Sequence, residues 1–269
     1  MSFVIFGDSF TFPDGFASTN RVYAYAKGLR ENGVNVYVIC FRNDFKKVSD
    51  NVVDGIPFYH PFGQTARSKS FVIRRVVKAK KFFRAIALLK KINKDDKISD
   101  MLVYTMLFST HFFAWCLSRF YKFRIIKECS EHPLGQYQQN IFKKAVGWLK
   151  MKTEIQLSDY IFCISRYLIE FFKKQGFTKS GLFLVPSTVD PSRFFSNDGP
   201  PYNFPYIGYF GGLTFNRDSI DYLIRAFAII YKNYPNLNLV LGGFCTKSEK
   251  YQIDQLISEL KITSRVIVL

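Results

Sequence analysis

Apolar residues along the chain fall into two alternating rhythms: short continuous runs of strand length, and longer stretches with one apolar face at helical spacing. The run 2–6 stops at Gly7, the polar loop DSFTFPDGFAS follows, and helical spacing then predicts a helix over 19–32. Ser18 or Thr19 is its expected cap, Val22, Ala26 and Leu29 its inward stripe, and Gly33 its end. Residues 34–41 read as the next strand, and strand, helix, strand in this order predicts a parallel sheet. The alternation continues with a strand at 101–105, a helix at 111–120 and strands at 124–129, 160–164 and 182–185, Ser165 capping a helix after the fourth. Residues 195–205 are polar and rich in Gly and Pro and read as a linker, leaving a first domain over 1–194. Beyond it, 206–210, 238–242 and 265–269 read as strands, separated by a helix carrying Ile220, Leu223, Ile224 and Phe227 and by a helix over 248–260. The fold class is α/β.

Composition adds material for buried cores: 48% of the 269 residues are hydrophobic, with 30 Phe and 16 Tyr. The net charge of +17 favours polyanions, whether nucleic acid, an acidic membrane surface or phosphorylated substrates, and biased coding for Lys is an equally simple source of it. The charge is concentrated in residues 64–93, where ten Lys or Arg and no acid are interleaved with apolar residues. That predicts a basic amphipathic helix or pair of helices. Its face suits an anionic membrane, a lipid-linked phosphorylated acceptor, or a scaffold helix with a solvated basic side. No nucleic-acid-binding motif accompanies the charge, so no nucleic-acid partner is expected. The most apolar window, 101–117, contains Thr105, Ser109, Thr110 and His111 and is at the short end for a membrane span, so it reads as strand then helix. Cys40, Cys116, Cys129, Cys163 and Cys245 have no metal-ligand spacing and read as buried thiols in a reducing compartment; the N-terminus lacks the pattern of a signal peptide, and a cytoplasmic location is expected.

Candidate chemistry gathers where strands meet glycines. After the strand at 206–210, Gly211 and Gly212 let the backbone approach a ligand, the N–H groups of the next helix favour an anion, and Arg217 in the intervening loop offers a forked donor array for phosphate. The same pattern also suits a tight strand-to-helix turn with a solvated Arg. Gly15, in the loop after the first strand, occupies a strand-end crevice of the kind that takes ligands in parallel sheets. Glu131 and His132 follow the strand 124–129, where either can act on an acceptor hydroxyl or simply form a turn with Pro133.

The segment FGGLTFNRDSIDYLIRAF resembles the opening of the donor-binding domain in GT-B glycosyltransferases of family 4, and Arg217 falls where that family commonly carries a diphosphate-binding Lys. PDGFASTNRVYAYAKGLRENGVNVYVI is similar to the family's N-terminal opening, whose glycine loop lines the cleft between domains. Gly15 and Phe16 are the cleft-lining candidates this implies, with Asn20 and Arg21 as weaker ones. Glu131 matches an acidic position bordering the acceptor site, and Pro186, Val189 and Asp190 match a turn at the end of the acceptor domain. The resemblance implies a GT-B fold of two Rossmann-like domains with parallel sheets. The second, 206–269, is expected to be the first part of a longer donor domain, so the chain is expected to be a partial copy of a longer enzyme. It implies a retaining hexosyltransferase that moves sugar from a nucleotide-sugar donor to a glycan or lipid-linked acceptor in surface polysaccharide or glycolipid biosynthesis. Neither metal nor other cofactor is implied, with Arg217 and helix N-termini meeting the charge on the departing diphosphate and Gly211 and Gly212 shaping the donor turn. Peripheral contact of residues 64–94 with the inner membrane face accompanies that reading. A non-catalytic membrane- or polyanion-binding protein and a nucleotide-sugar epimerase of the same architecture are the alternatives.

Overall fold

The computed structural model describes residues 1–43, 51–135, 140–177, 181–190, 199 and 201–269. The chain divides into two compact units, Met1–Phe194 and Phe195–Leu269.

The first unit is built on β1 (Ser2–Gly7), β2 (Asn35–Cys40), β3 (Asn51–Val53), β4 (Ile56–Tyr59), β5 (Ile98–Tyr104), β6 (Arg124–Cys129), β7 (Tyr160–Cys163) and β8 (Leu182–Leu184). They pair in the order β3-β4-β2-β1-β5-β6-β7-β8, and every pairing is parallel except β3 with β4. Alternate residues of β1 serve opposite helix layers, as strand geometry demands. Val4 and Phe6 join Met101, Val103 and Ile125 on one face, where α2 (Phe71–Asp95) and α3 (Phe108–Tyr121) pack, while Phe3 and Ile5 join Val36 and Val38 on the other, against α1 (Ala17–Glu31). A third cluster, Cys129, Ile161 and Cys163 with Met151, Ile155, Leu168 and Phe172, seats α4 (Ile141–Gln156) and α5 (Arg166–Lys174).

Local chemistry accounts for most boundaries. Gly33 takes φ 78° past the end of α1, its N–H bonding the Arg30 carbonyl while Val34 bonds that of Leu29. Ser165 caps α5 by accepting from the Leu168 N–H. The expected cap of α1 is corrected: the helix starts at Ala17 with Phe16 as N-cap and no side-chain cap bond, because the Thr19 hydroxyl is committed to the Thr11 carbonyl (2.6 Å). The basic stretch forms one helix, α2, whose inward stripe of Lys81, Ala85, Leu89 and Ile92 lies in its C-terminal two-thirds. Its first turns instead expose Phe71, Val72, Ile73 and Val76.

The strands β3 and β4 and the helix α4 are additions to the sequence reading. β3 and β4 form a hairpin across Asp54 and Gly55, both at positive φ (49° and 73°), as a primed two-residue turn requires. α4 buries Gly147, Met151, Glu154 and Ile155 while exposing Ile141, Phe142, Trp148 and Leu149, an inverted pattern that hides its helical period. Cys116, expected to be buried, is exposed on α3; Cys40, Cys129 and Cys163 are buried, and burial pushes the Cys129 thiol up to about 11 and that of Cys163 up to about 12. No described helix is long and apolar enough to cross a membrane.

The second unit has a three-stranded parallel sheet in the order β11-β10-β9, from β9 (Tyr206–Gly212), β10 (Asn238–Phe244) and β11 (Val266–Val268). The short α6 (Phe215–Asp218) precedes α7 (Ile220–Ile230), and α8 (Lys247–Glu259) joins β10 to β11. Ile220, Ile224 and Phe227 of α7 and Ile253, Leu256 and Ile257 of α8 pack with Leu239 and Leu241 of β10 in one core. α8 starts with a capping box, Thr246 accepting from the Glu249 N–H while the Glu249 carboxylate accepts from the Thr246 N–H (2.7 Å). Of the linker expected over 195–205, residues 195–198 and 200 lie outside the described residues, and 199 and 201–205 carry neither helix nor strand.

Candidate functional site

In the first unit the strand order reverses between β1 and β5, which opens a crevice at the C-terminal ends of these strands. Gly7 ends β1 because the two strands close up there: a Cβ at this position would lie 1.9 Å from the Tyr104 carbonyl oxygen. The next residue, Asp8, is held by two hydroxyls, Thr105 donating to one carboxylate oxygen (2.6 Å) and Thr110 to the other (2.7 Å). Across the crevice the Tyr104 hydroxyl and Ser130 Oγ are 2.7 Å apart, which fixes the end of β6.

Glu131 and His132 follow directly. They line a hollow of about 50 Å³ with Tyr104, Thr105, Met106 and Ser130. Glu131 is exposed. The His132 ring lies tilted against Phe171, ring centroids 4.5 Å apart, and its Nδ1 accepts from the Leu134 N–H (3.2 Å). A neutral His132 therefore carries its proton on Nε2 and has no free lone pair for base chemistry. Of the two, Glu131 is the one equipped to accept a proton. Behind the hollow, buried Lys127 pairs with Glu154 at 2.7 Å, and Lys150 stands 3.7 Å from the other Glu154 oxygen.

Gly15 and Phe16 lie at the start of α1. Gly15 has no room for a side chain, since a Cβ would meet the hydroxyls of Thr11 and Thr19 at 2.2 Å each. Phe16 is 79% exposed. Arg21 is placed differently from the cleft-lining expectation. It is buried, its Nε donating to Glu128 Oε1 (2.9 Å), Nη1 to the Pro186 carbonyl (2.8 Å) and Nη2 to that of Val185 (2.5 Å). Tyr25 completes the set by donating to Glu128 Oε2 (3.0 Å). Burial pushes the Glu128 carboxyl up, and the Arg21 guanidinium opposes it. Asp190 pairs with Lys27 of α1, so the turn after β8 is tied to α1 at three carbonyl or carboxylate groups.

In the second unit, Gly211 and Gly212 are corrected from turn to strand. They are the last two residues of β9, in register with Gly243 and Phe244 of β10. The approach is close enough that a Cβ on Gly243, itself at φ 142°, would stand 1.8 Å from the Gly211 carbonyl oxygen. The turn is made by Leu213 and Thr214, the Leu213 N–H donating to the Phe244 carbonyl (3.0 Å). A Cβ on Gly212 would lie 2.4 Å from the Asp218 carboxylate, which takes a hydrogen bond from the Thr214 hydroxyl (2.9 Å). Arg217, expected in a loop, lies in α6; its side chain is outside the described residues.

Sequence reasoning passed over Asp8, Thr105 and Tyr104, although Asp8 directly follows a strand that stops at glycine, which is a readable signal. It also passed over a cavity of about 370 Å³ beside the first turns of α2, lined by Arg67, Arg74, Arg75 and Lys78. No group of three or more His, Cys, Asp or Glu among the described residues is placed to hold a metal ion.

No protein-family model and no curated protein sequence matches the chain. Solved structures do. A sucrose-phosphate synthase from Thermosynechococcus elongatus is similar over 99% of this chain and 69% of its own, with 14% identity and a TM-score of 0.69. The lipopolysaccharide outer core galactosyltransferase WaaB matches over 100% and 67%, with 15% identity and a TM-score of 0.61. HepE from Anabaena in complex with UDP matches over 100% and 69%, with 13% identity and a TM-score of 0.62. The likeness shows the fold, α/β of the GT-B class with parallel-dominated sheets, and the chain spans 67–69% of the length of these structures.

Proposed function

We propose that the chain is a nucleotide-sugar-dependent glycosyltransferase, with the first unit on the acceptor side and the second on the donor side. The observation that carries this reading is the whole-chain similarity to a sucrose-phosphate synthase, a galactosyltransferase and a UDP-bound protein. The proposal extends to family 4, to a retaining hexosyl transfer in surface polysaccharide or glycolipid assembly, and to work at the inner membrane face without a bound metal.

In this reading Arg217 meets the diphosphate of the donor, where a fixed guanidinium stabilises the charge that develops as the sugar departs. Gly211 and Gly212 keep side chains off the donor-side strand end. Glu131 borders the acceptor and receives or orients its hydroxyl proton, an assignment supported by its exposed carboxylate and by the committed Nδ1 of His132. Gly15 and Phe16 contribute the loop at the start of α1.

Calorimetric titration of the protein with UDP and GDP tests the reading. Saturable binding of one nucleotide is expected, with sugar transfer to an acceptor when the matching nucleotide sugar is supplied. A folded protein that binds neither nucleotide removes the glycosyltransferase assignment, and conversion of the nucleotide sugar without acceptor replaces it with an epimerase.

A further inference from the structure

The strand-end crevice of the first unit presents a second carboxylate besides that of Glu131. Asp8 is partly exposed, whereas the two hydroxyls that hold it, those of Thr105 and Thr110, belong to residues only 5% and 2% exposed. Thr105 Oγ1 accepts from the Leu107 N–H (2.9 Å), which aims its proton at Asp8 Oδ1 (2.6 Å), and Thr110 donates to Oδ2 (2.7 Å). Each carboxylate oxygen thus spends one lone pair on the protein behind it and keeps another for the crevice. No Lys, Arg or His among the described residues forms a salt bridge with Asp8. Lys81 and Asp8 feel each other's charge, but the Lys81 ammonium donates to the Phe41 carbonyl (3.0 Å) and to Asn43 Oδ1 (2.8 Å).

The surroundings decide which donors suit this carboxylate. A phosphate entering the crevice meets the negative charge of Asp8 and Glu131. A cation meets Lys127 and Lys150 in the hollow beside Glu131 and the field of Lys81 at Asp8. A neutral group that brings hydroxyl donors meets neither obstacle, and its O–H bonds to a carboxylate are of the strong, charge-assisted kind. Spacing agrees with a ring of hydroxyls. β5 stands between β1 and β6, so the strand that leads to Asp8 and the strand that leads to Glu131 are two spacings apart, about 10 Å. That is room for one pyranose ring with a hydrogen bond at either rim. Between them Tyr104 is tied to Ser130, and Thr105 both holds Asp8 and lines the hollow.

We propose that Asp8 is a sugar-binding residue, its two oxygens receiving two adjacent hydroxyls of a neutral pyranose whose opposite rim faces Glu131. Two neighbouring ring hydroxyls offer a pair of donors side by side, which matches the pair of lone pairs that Thr105 and Thr110 leave unused. A carboxylate already fixed from behind loses little freedom when it takes them. That this sugar is the acceptor rests on the glycosyltransferase reading; that Asp8 binds a sugar rests on the first unit alone.

The test compares wild type with Asp8→Asn, which keeps the size of the side chain, and with Glu31→Gln, which removes the same charge from an exposed position at the far end of α1. Each is titrated, without nucleotide, with the methyl glycosides of glucose, galactose and mannose and with glucosamine, read by saturation-transfer NMR. At least one methyl glycoside is expected to bind wild type and Glu31→Gln alike, and Asp8→Asn to weaken it by about tenfold or more. Deoxy analogues of the bound glycoside should reveal two adjacent hydroxyls whose removal costs wild type as much and costs Asp8→Asn nothing further. The deoxy series on wild type decides the matter even where Asp8→Asn melts early, since the absence of an adjacent pair of required hydroxyls overturns the proposal. So does a failure of every methyl glycoside to bind, or equal binding by wild type and a folded Asp8→Asn. Glucosamine binding more tightly than methyl glucoside, and losing that advantage in Asp8→Asn, makes this an ammonium site and overturns it as well. Titration of the same proteins with UDP and GDP separates the two readings: glycoside binding that depends on Asp8 in a protein that takes neither nucleotide supports the sugar site while removing the transferase assignment.

Discussion

Nε of Arg21 on α1 lies 2.9 Å from Oε1 of Glu128 on β6, a buried ion pair between residues 107 apart in the chain. The guanidinium spends its other donors on the carbonyls of Val185 and Pro186, and Tyr25 takes the second carboxylate oxygen. Three elements from distant parts of the first unit thus share one satisfied polar cluster, which satisfies the condition for keeping charge in a low-dielectric interior.

Breaking this pair from one side is expected to be costly. Arg21→Met leaves Glu128 buried and unpaired, and about 3–5 kcal/mol of stability should be lost in urea unfolding. Arg21→Met combined with Glu128→Leu should recover a large part of that loss, because the stranded charge is gone. A double variant no more stable than the single one would mean that the bonds to Val185 and Pro186 dominate.

His111 sets an acid limit. It is fully buried on α3, and its Nε2 is 3.2 Å from Ser158 Oγ. The Ser158 hydroxyl donates to the Glu154 carbonyl, so His111 carries its proton on Nε2. Burial, with Lys127 and Lys150 nearby, holds its pKa well below the ordinary 6.5. Below about pH 6.5 the unfolded chain takes up a proton that the folded chain refuses, so stability falls with acidification at up to about 1.4 kcal/mol per pH unit. Melting temperatures between pH 7.5 and 5.5 should show this slope, roughly, and His111→Gln should flatten it.

The glycines divide into two kinds. Gly243→Ala adds a Cβ 1.8 Å from the Gly211 carbonyl oxygen at φ 142°, and the β9–β10 pairing should be lost, read as loss of amide protection in the second unit. Gly28, inside α1, has open space at its Cβ position. Gly28→Ala is expected to stabilise the first unit by about 0.5–1 kcal/mol in urea unfolding.

On the functional side, Arg217→Ala should lower turnover by about a hundred- to a thousandfold, the loss that follows removal of one transition-state donor. If Glu131 serves the acceptor as proposed, Glu131→Gln should depress kcat with less change in donor affinity. Unchanged steady-state kinetics in either variant removes that residue from the mechanism.

Residues whose role depends on near neighbours were legible in the chain. The run before Gly7, the stripe of Val22, Ala26 and Leu29, the stop at Gly33 and the cap at Ser165 are patterns a few residues long, and they specify alternating strands and helices and hence a parallel α/β fold. Asp54-Gly55 was equally local, and its turn chemistry stood in plain view between apolar residues. Glu131, at the end of its strand, was likewise legible as a strand-end group.

What only the tertiary structure decided is which charged and polar groups meet. Periodicity marks Arg21 as part of an amphipathic helix but carries no information that its partner is Glu128 or that two carbonyls after β8 wait for it. Gly211 and Gly212 looked like a turn because glycine is permissive; they are strand because Gly243 lets β10 close on them and Asp218 fills the space beside Gly212. The ten cations of 64–93 were countable in sequence, yet the folding of Asn43 and Phe62 against the start of α2 is what gathers four of them around one cavity. Hydrophobic spacing fixes the face each element buries; the partners of its polar groups are set where strand ends from distant segments come to a common edge.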